Sequence, residues 1–259
     1  DTGDKVTITG ENFGTDPSDI SVSFNGTPAE FELVDESTIV ATTPADYQTG
    51  SVTVTIHGYT MTGGAMFNPN SKGDVTVLYL QNYKQPFSKA NDDSLKNCEG
   101  WTPAGWKQNA ASFNAKGNTT VSGMQYKSEE GLTLAFQNGW DKEAYTNGKM
   151  WQVATLRPGK YRLEVTYAYT LVVTDAGNFI SVLIAKGDSE SDIPNVADLE
   201  QLNGVYVAYD KMGTANDSGT LVTPSFEVTE TTDVVIGFLT SLAKGNSYFK
   251  VTELKLILE

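Results

Sequence analysis

The 259 residues carry 32 acidic against 18 basic side chains, a net charge of −14 and a pI of about 4.4, a balance that repels a phosphate backbone or an anionic lipid surface. At 39% apolar and 19% charged the chain has globular composition and length enough for two domains with cores of their own. Its longest apolar stretches, such as Val234–Leu239, fall far short of the ~20 residues a spanning helix needs.

In chain order, residues 1–68 read as short strands with alternating apolar positions. Val6 and Ile8 share one face, as do Ile20, Val22 and Phe24; then Phe31 with Leu33, Ile39 with Ala41, and Val52, Val54 with Ile56. Gly-, Pro-, Asn- and Asp-rich turns separate them, the pattern of a small antiparallel sandwich. This stretch holds 10 acids and one base, Lys5, for a net −9, whereas residues 69–259 hold 22 acids and 17 bases, net −5. Residues 69–74 form a short linker with Pro69 and Gly73.

Residues 75–259 resume strand-like runs and predict a larger all-β sandwich. Tyr161, Leu163, Val165, Tyr167 and Tyr169 alternate onto one face, RPGK at Arg157–Lys160 is a tight turn, and only Ile193–Asn203 reads as helical. The last strand slips phase: Phe249 and Val251 share one parity, Leu254, Leu256 and Leu258 the other. One extra residue near Thr252–Glu253, a β-bulge, would put both sets in one core.

Little of the catalytic repertoire fits. The lone Cys98 excludes an internal disulfide and a thiolate zinc site, and reads as a small buried hydrophobe. The lone His57, read as a strand-end residue, excludes multi-histidine metal sites. It also precedes Gly187–Ser191 (GDSES), leaving that serine no downstream general base. A glycosidase needs two opposed carboxylates, and 32 acids neither locate nor exclude such a pair. Asp188, Glu190 and Asp192 alternate across one loop in a manner open to calcium; a solvated acidic loop is the favoured reading, so no cofactor is expected.

The aromatics carry the stronger signal, because a sugar's apolar ring face calls for an aromatic plate beside hydrogen-bonding side chains. Gln137–Lys149 sets Trp140 and Tyr145 among Asn138, Asp141 and Asn147. The two rings form either an exposed platform or a pair folded back onto the sandwich. Trp101 is a second glycan-binding candidate, whereas Trp106 and Trp151 read as packing residues.

Gly3, Val6, Ile8, Gly10, Phe13 and Gly14, followed by Val22, Phe24, Asn25 and Gly26 and by Ile39, Ala41 and Pro44, resemble the motifs of an IPT/TIG domain, an immunoglobulin-like module. The resemblance implies an edge strand ahead of Gly3 that this sequence does not include. Asn147, Gly148, Lys149, Met150, Trp151, Gln152, Leu156, Gly159 and Tyr161, with the closing GNSYFKVTELKL, resemble a galactose-binding-like jelly roll. Such jelly rolls often carry a structural calcium, but Thr252 stands where their last strand commonly has an aspartate. The combination resembles SusE/SusF-like surface glycan-binding lipoproteins of gut Bacteroidota. It implies a non-catalytic, extracellular polysaccharide binder with an IPT/TIG spacer, a lipid anchor upstream and an outer-membrane glycan importer as partner. The rival readings are a structural or protein-contact lipoprotein and, less favoured, a glycosidase.

Overall fold

A computed structural model describes residues 2–66, 68, 72–91, 100–112, 115–116, 119–120, 123–138, 144–172, 177–213, 217–243 and 247–259. The chain is all-β, as expected, and separates into two compact units, Asp1–Leu78 and Tyr79–Ile257.

In the first unit, β1 (Lys5–Thr9), β4 (Phe31–Asp35) and β5 (Thr38–Thr42) form one antiparallel sheet in the order β1-β5-β4. β2 (Ile20–Phe24), β3 (Thr27–Ala29), β6 (Gly50–Ile56) and β7 (Tyr59–Met66) form the other, ordered β3-β2-β6-β7. The alternation sends Val22, Phe24, Ile39, Ala41, Val52 and Val54 into a shared core, where Phe24 meets Tyr47 edge-on at 5.6 Å. Two-residue turns of positive φ join β2 to β3 (Asn25 45°, Gly26 85°) and β6 to β7 (His57 48°, Gly58 84°), the hand that matches strand twist. His57 therefore lies one residue past its strand, exposed, with Nδ1 3.5 Å from Asp19 Oδ2. After β8 (Gly73–Asp74), the Asp74 carboxylate accepts from the Thr76 N–H at 2.9 Å as the short helix α1 (Thr76–Tyr79) begins.

The second unit starts with short strands β9 (Gly100–Trp101), β10 (Lys107–Gln108), β11 (Ala115–Lys116) and β12 (Thr119–Thr120). Longer ones follow: β13 (Gly123–Lys127), β14 (Gly131–Asn138), β15 (Tyr145–Leu156), β16 (Gly159–Tyr167) and β17 (Phe179–Lys186). After α2 (Leu199–Leu202) come β18 (Val207–Lys211), β19 (Gly219–Val222), β20 (Phe226–Val228), β21 (Thr232–Leu242) and β22 (Ser247–Leu258). One sheet is ordered β10-β15-β21-β17-β18; the other runs β19-β16-β22-β14-β13-β9, with β20 also paired to β16. Arg157–Lys160 is thus a corner from one sheet to the other, stabilised by the Tyr161 hydroxyl, which donates to Arg157 O at 2.9 Å. Between the sheets, Phe238 of β21 meets Phe136 of β14 at 5.0 Å and Trp106 at 5.7 Å, while Phe249 of β22 meets Tyr167 at 5.4 Å.

The expected phase slip in β22 has a physical basis. Ala168 N donates to Lys250 O and Glu259 N donates to Lys160 O. Eight residues separate 160 from 168 while nine separate 250 from 259, so β22 holds one residue more than its partner, the definition of a bulge. The change falls where Thr252 and Glu253 are both half-buried, between buried Val251 and buried Leu254.

Candidate functional site

Among the described residues, those singled out for sugar contact do not converge on one surface. Trp140 and Asp141 lie outside the described residues, as does Cys98. Asn138 is buried at the end of β14, its Nδ2 donating to Ala243 O. Tyr145 opens β15 in the opposite sheet, also buried; its hydroxyl lies 3.1 Å from Thr240 Oγ1 and its ring rests over Gly148, which leaves room for it. Asn147, between them, turns through a φ of 55° and secures neighbouring segments: its Oδ1 accepts from Val196 N at 2.9 Å and its carbonyl from Asn109 Nδ2 at 2.8 Å. Trp101 pairs with Met124 across β9 and β13 and is 6% exposed. The Tyr145 ring is thus the folded-back alternative, and the Trp101 ring is likewise packed on the sandwich.

The acidic loop is likewise occupied by its own backbone. The Ser189 hydroxyl, at 2.6 Å, and the N–H groups of Ser189 and Asp188, each at 3.0 Å, donate to the Asp192 carboxylate and hold its pKa below the usual value. Glu190 accepts from Asn109 Nδ2 at 3.2 Å.

An open cleft of about 540 Å³ lies elsewhere in the second unit, walled by Glu130, Tyr169, Leu171, Asp217 and Tyr248 among others. Its making begins where β16 ends. Alternation predicts an inward Tyr169, following Tyr161 to Tyr167; instead Tyr169 has a φ of 53° and is 46% exposed. Ala168 N donates to Lys250 O, whereas Leu171 and Tyr248 exchange both backbone hydrogen bonds, at 2.9 and 2.7 Å. The chain thus advances three residues (168 to 171) against two on β22 (250 to 248), a second bulge that re-aims one side chain. Thr170 N bonds Asp217 O at 3.0 Å and Thr170 Oγ1 accepts from Lys250 N at 3.1 Å. A left-handed conformation is costly for a bulky residue and persists only when its surroundings over-determine it; these bonds do so.

Beneath the cleft sits a buried ionic group. Lys250, 1% exposed, is ion-paired to Glu130 Oε2, and Lys127 Nζ lies 3.2 Å from Glu130 Oε1. The two ammonium groups also lie 5.1 Å (Lys250) and 5.7 Å (Lys127) from the centre of the Tyr248 ring, within cation–π range. Burial pulls the Lys250 pKa down, and Glu130 opposes it. Tyr248 and Lys250 could have been found in the sequence, since they alternate with core residues Phe249 and Val251. Tyr169 could not, because a local bulge reverses its parity.

Comparison with known proteins adds the family. A model described as "Domain of unknown function (DUF5013)" matches residues 81–237. The chain belongs to the DUF5013 family. The cleft residues Glu130, Tyr169, Leu171 and Asp217 lie within that DUF5013 match, and Tyr248 lies beyond its end. Residues 1–92 match the IPT/TIG domain, in line with the motif resemblance. No curated protein matches the chain.

Among solved structures, a putative glycoside hydrolase from Bacteroides thetaiotaomicron is 12% identical, covering 89% of this chain and 83% of that one at a TM-score of 0.42. TmCBM61 in complex with β-1,4-galactotriose is 12% identical, covering 69% and 92% at a TM-score of 0.33. The xylan-binding module CBM15 is 14% identical, covering 60% and 90% at 0.33.

Proposed function

We propose that this protein is a non-catalytic glycan-binding protein that receives sugar in the Tyr169–Tyr248 cleft, with the IPT/TIG unit as spacer. The observation that carries this reading is Tyr169, a large aromatic ring turned outward by a bulge onto a polar cleft. Sugars combine an apolar ring face with a hydroxyl rim, and the cleft offers both kinds of partner: the Tyr169 and Tyr248 rings and Leu171 for the face, Asp217 and Ser218 for the rim.

The carboxylates favour binding over hydrolysis. Glycoside hydrolysis uses two carboxyl groups in separate roles. Glu130 has both oxygens engaged by Lys127 and Lys250, which leaves Asp217 as the cleft's uncommitted carboxylate among the described residues. The motif resemblance to SusE/SusF-like proteins supports a cell-surface setting beside a glycan importer, and this too is part of the proposal.

A glycan microarray followed by calorimetry on the intact chain tests the reading. Binding that Tyr169→Ala weakens by about 1–3 kcal/mol, with no shortening of the polysaccharide on prolonged incubation, is the expected result. Binding untouched by Tyr169→Ala would move the site away from this cleft, and an absence of any sugar binding would favour the structural reading.

A further inference from the structure

The charges around the cleft are unequally compensated. Glu130 and Asp217 are the acidic groups of its wall. Glu130 is neutralised from behind by Lys127 and Lys250. Asp217 is exposed, has its backbone tied to Thr170, and has no cation in ion-pair contact among the described residues.

An ionised carboxylate only accepts hydrogen bonds, with about four lone-pair positions to fill. Adjacent sugar hydroxyls are donors and match it. A uronic acid brings a second acceptor-only group of the same sign, on a chain that already carries −14. A neutral sugar brings no charge of the same sign to Asp217.

We infer that the cleft selects neutral sugar units and rejects their uronate counterparts, with Asp217 as the residue that sets this choice. The inference rests on the glycan-binding reading above. Two like charges at the separations a small cleft allows weaken binding by about three- to tenfold, or ~0.7–1.4 kcal/mol at about 1.4 kcal/mol per decade.

The test uses the whole chain, titrated calorimetrically with soluble glucan, galactan and mannan and the C6-oxidised form of each. At least one neutral polymer should bind, and its oxidised form three- to tenfold more weakly. Asp217→Asn, on an exposed side chain, should bring the neutral and oxidised forms within about twofold of each other. Salt at about 0.5 M should narrow the same gap in the unaltered protein, because screening shortens the reach of the repulsion. An oxidised polymer binding as well as the neutral one overturns the inference and leaves glycan binding intact. So does a gap that Asp217→Asn leaves unchanged. No binding by any polymer overturns the glycan-binding reading itself.

Discussion

At the scale of single residues, Tyr169 couples strain to recognition. Its left-handed backbone costs on the order of 1–3 kcal/mol, a cost that glycine escapes. Tyr169→Gly should raise the melting temperature by a few degrees and weaken sugar binding in the same protein. An unchanged or lower melting temperature would show that the ring contributes packing beyond its exposure. By analogy with base stacking on aromatic side chains, Tyr169→Ala should weaken binding by about 1–3 kcal/mol.

The buried pair beneath makes a separate prediction. Glu130→Gln strands the Lys250 ammonium and should cost about 3–5 kcal/mol, whereas the double variant Glu130→Gln, Lys250→Met should recover most of it. Chemical denaturation of the two proteins measures both. Because burial lowers the Lys250 pKa below its ordinary 10.5, the unfolded chain binds a proton there in an alkaline window where the folded chain has released it. Stability from this residue therefore grows as pH rises through that window, and Lys250→Met should remove that slope from stabilities measured as pH approaches 10.5 from below.

At the scale of elements, the second unit depends on how closely β15 and β21 approach. Gly237 sits opposite Trp151 in that pair, and a Cβ there would lie 2.1 Å from the carbonyl oxygen of Met150. No rotamer relieves a clash with backbone, so Gly237→Ala should lower the melting temperature of the second unit by many degrees. A fully folded Gly237→Ala protein with native stability would show that the two strands can part.

Much of this level was legible from alternation alone. Strands β1, β2, β4, β5 and β6 and the phase slip in β22 follow from the spacing of apolar side chains, whereas β3 and β7 were not read from it. The site was less legible. Period-two reasoning assigned Tyr169 to the core because nothing local to the sequence marks the bulge after Tyr167; it is fixed by hydrogen bonds from β22 and Asp217, distant in the chain. Tyr145 differs: its polar neighbours left a surface platform open, but Asn147 and Gly148 lie at an irregularity in β15 that seats the ring against Thr240.

At the scale of the molecule, charge is the dominant feature. Residues 1–68 hold 10 acids and one lysine, so self-repulsion opposes the compact state and is screened by salt. Raising sodium chloride from about 10 to 150 mM should increase the melting temperature of the intact protein. Affinity for a neutral sugar should stay flat over the same range. A binding constant that fell steeply with salt would point to an ionic ligand instead.

The segment that carries α2 has a consequence for solubility. Ile193 and Leu199 cover Trp151, Leu183, Val235 and Leu239 on the face of the β15-β21-β17 sheet opposite Phe238. That cover allows β17 and β21 to be apolar on both sides, with FISVLIA and VVIGFL free of charge and proline. Uncovered, such windows have the signature of cross-β assembly. A single proteolytic cut in the 194–205 stretch should therefore give a protein that scatters light and binds amyloid dyes on mild warming, where the uncut protein does not. The segment acts as the guard of the molecule's shelf life.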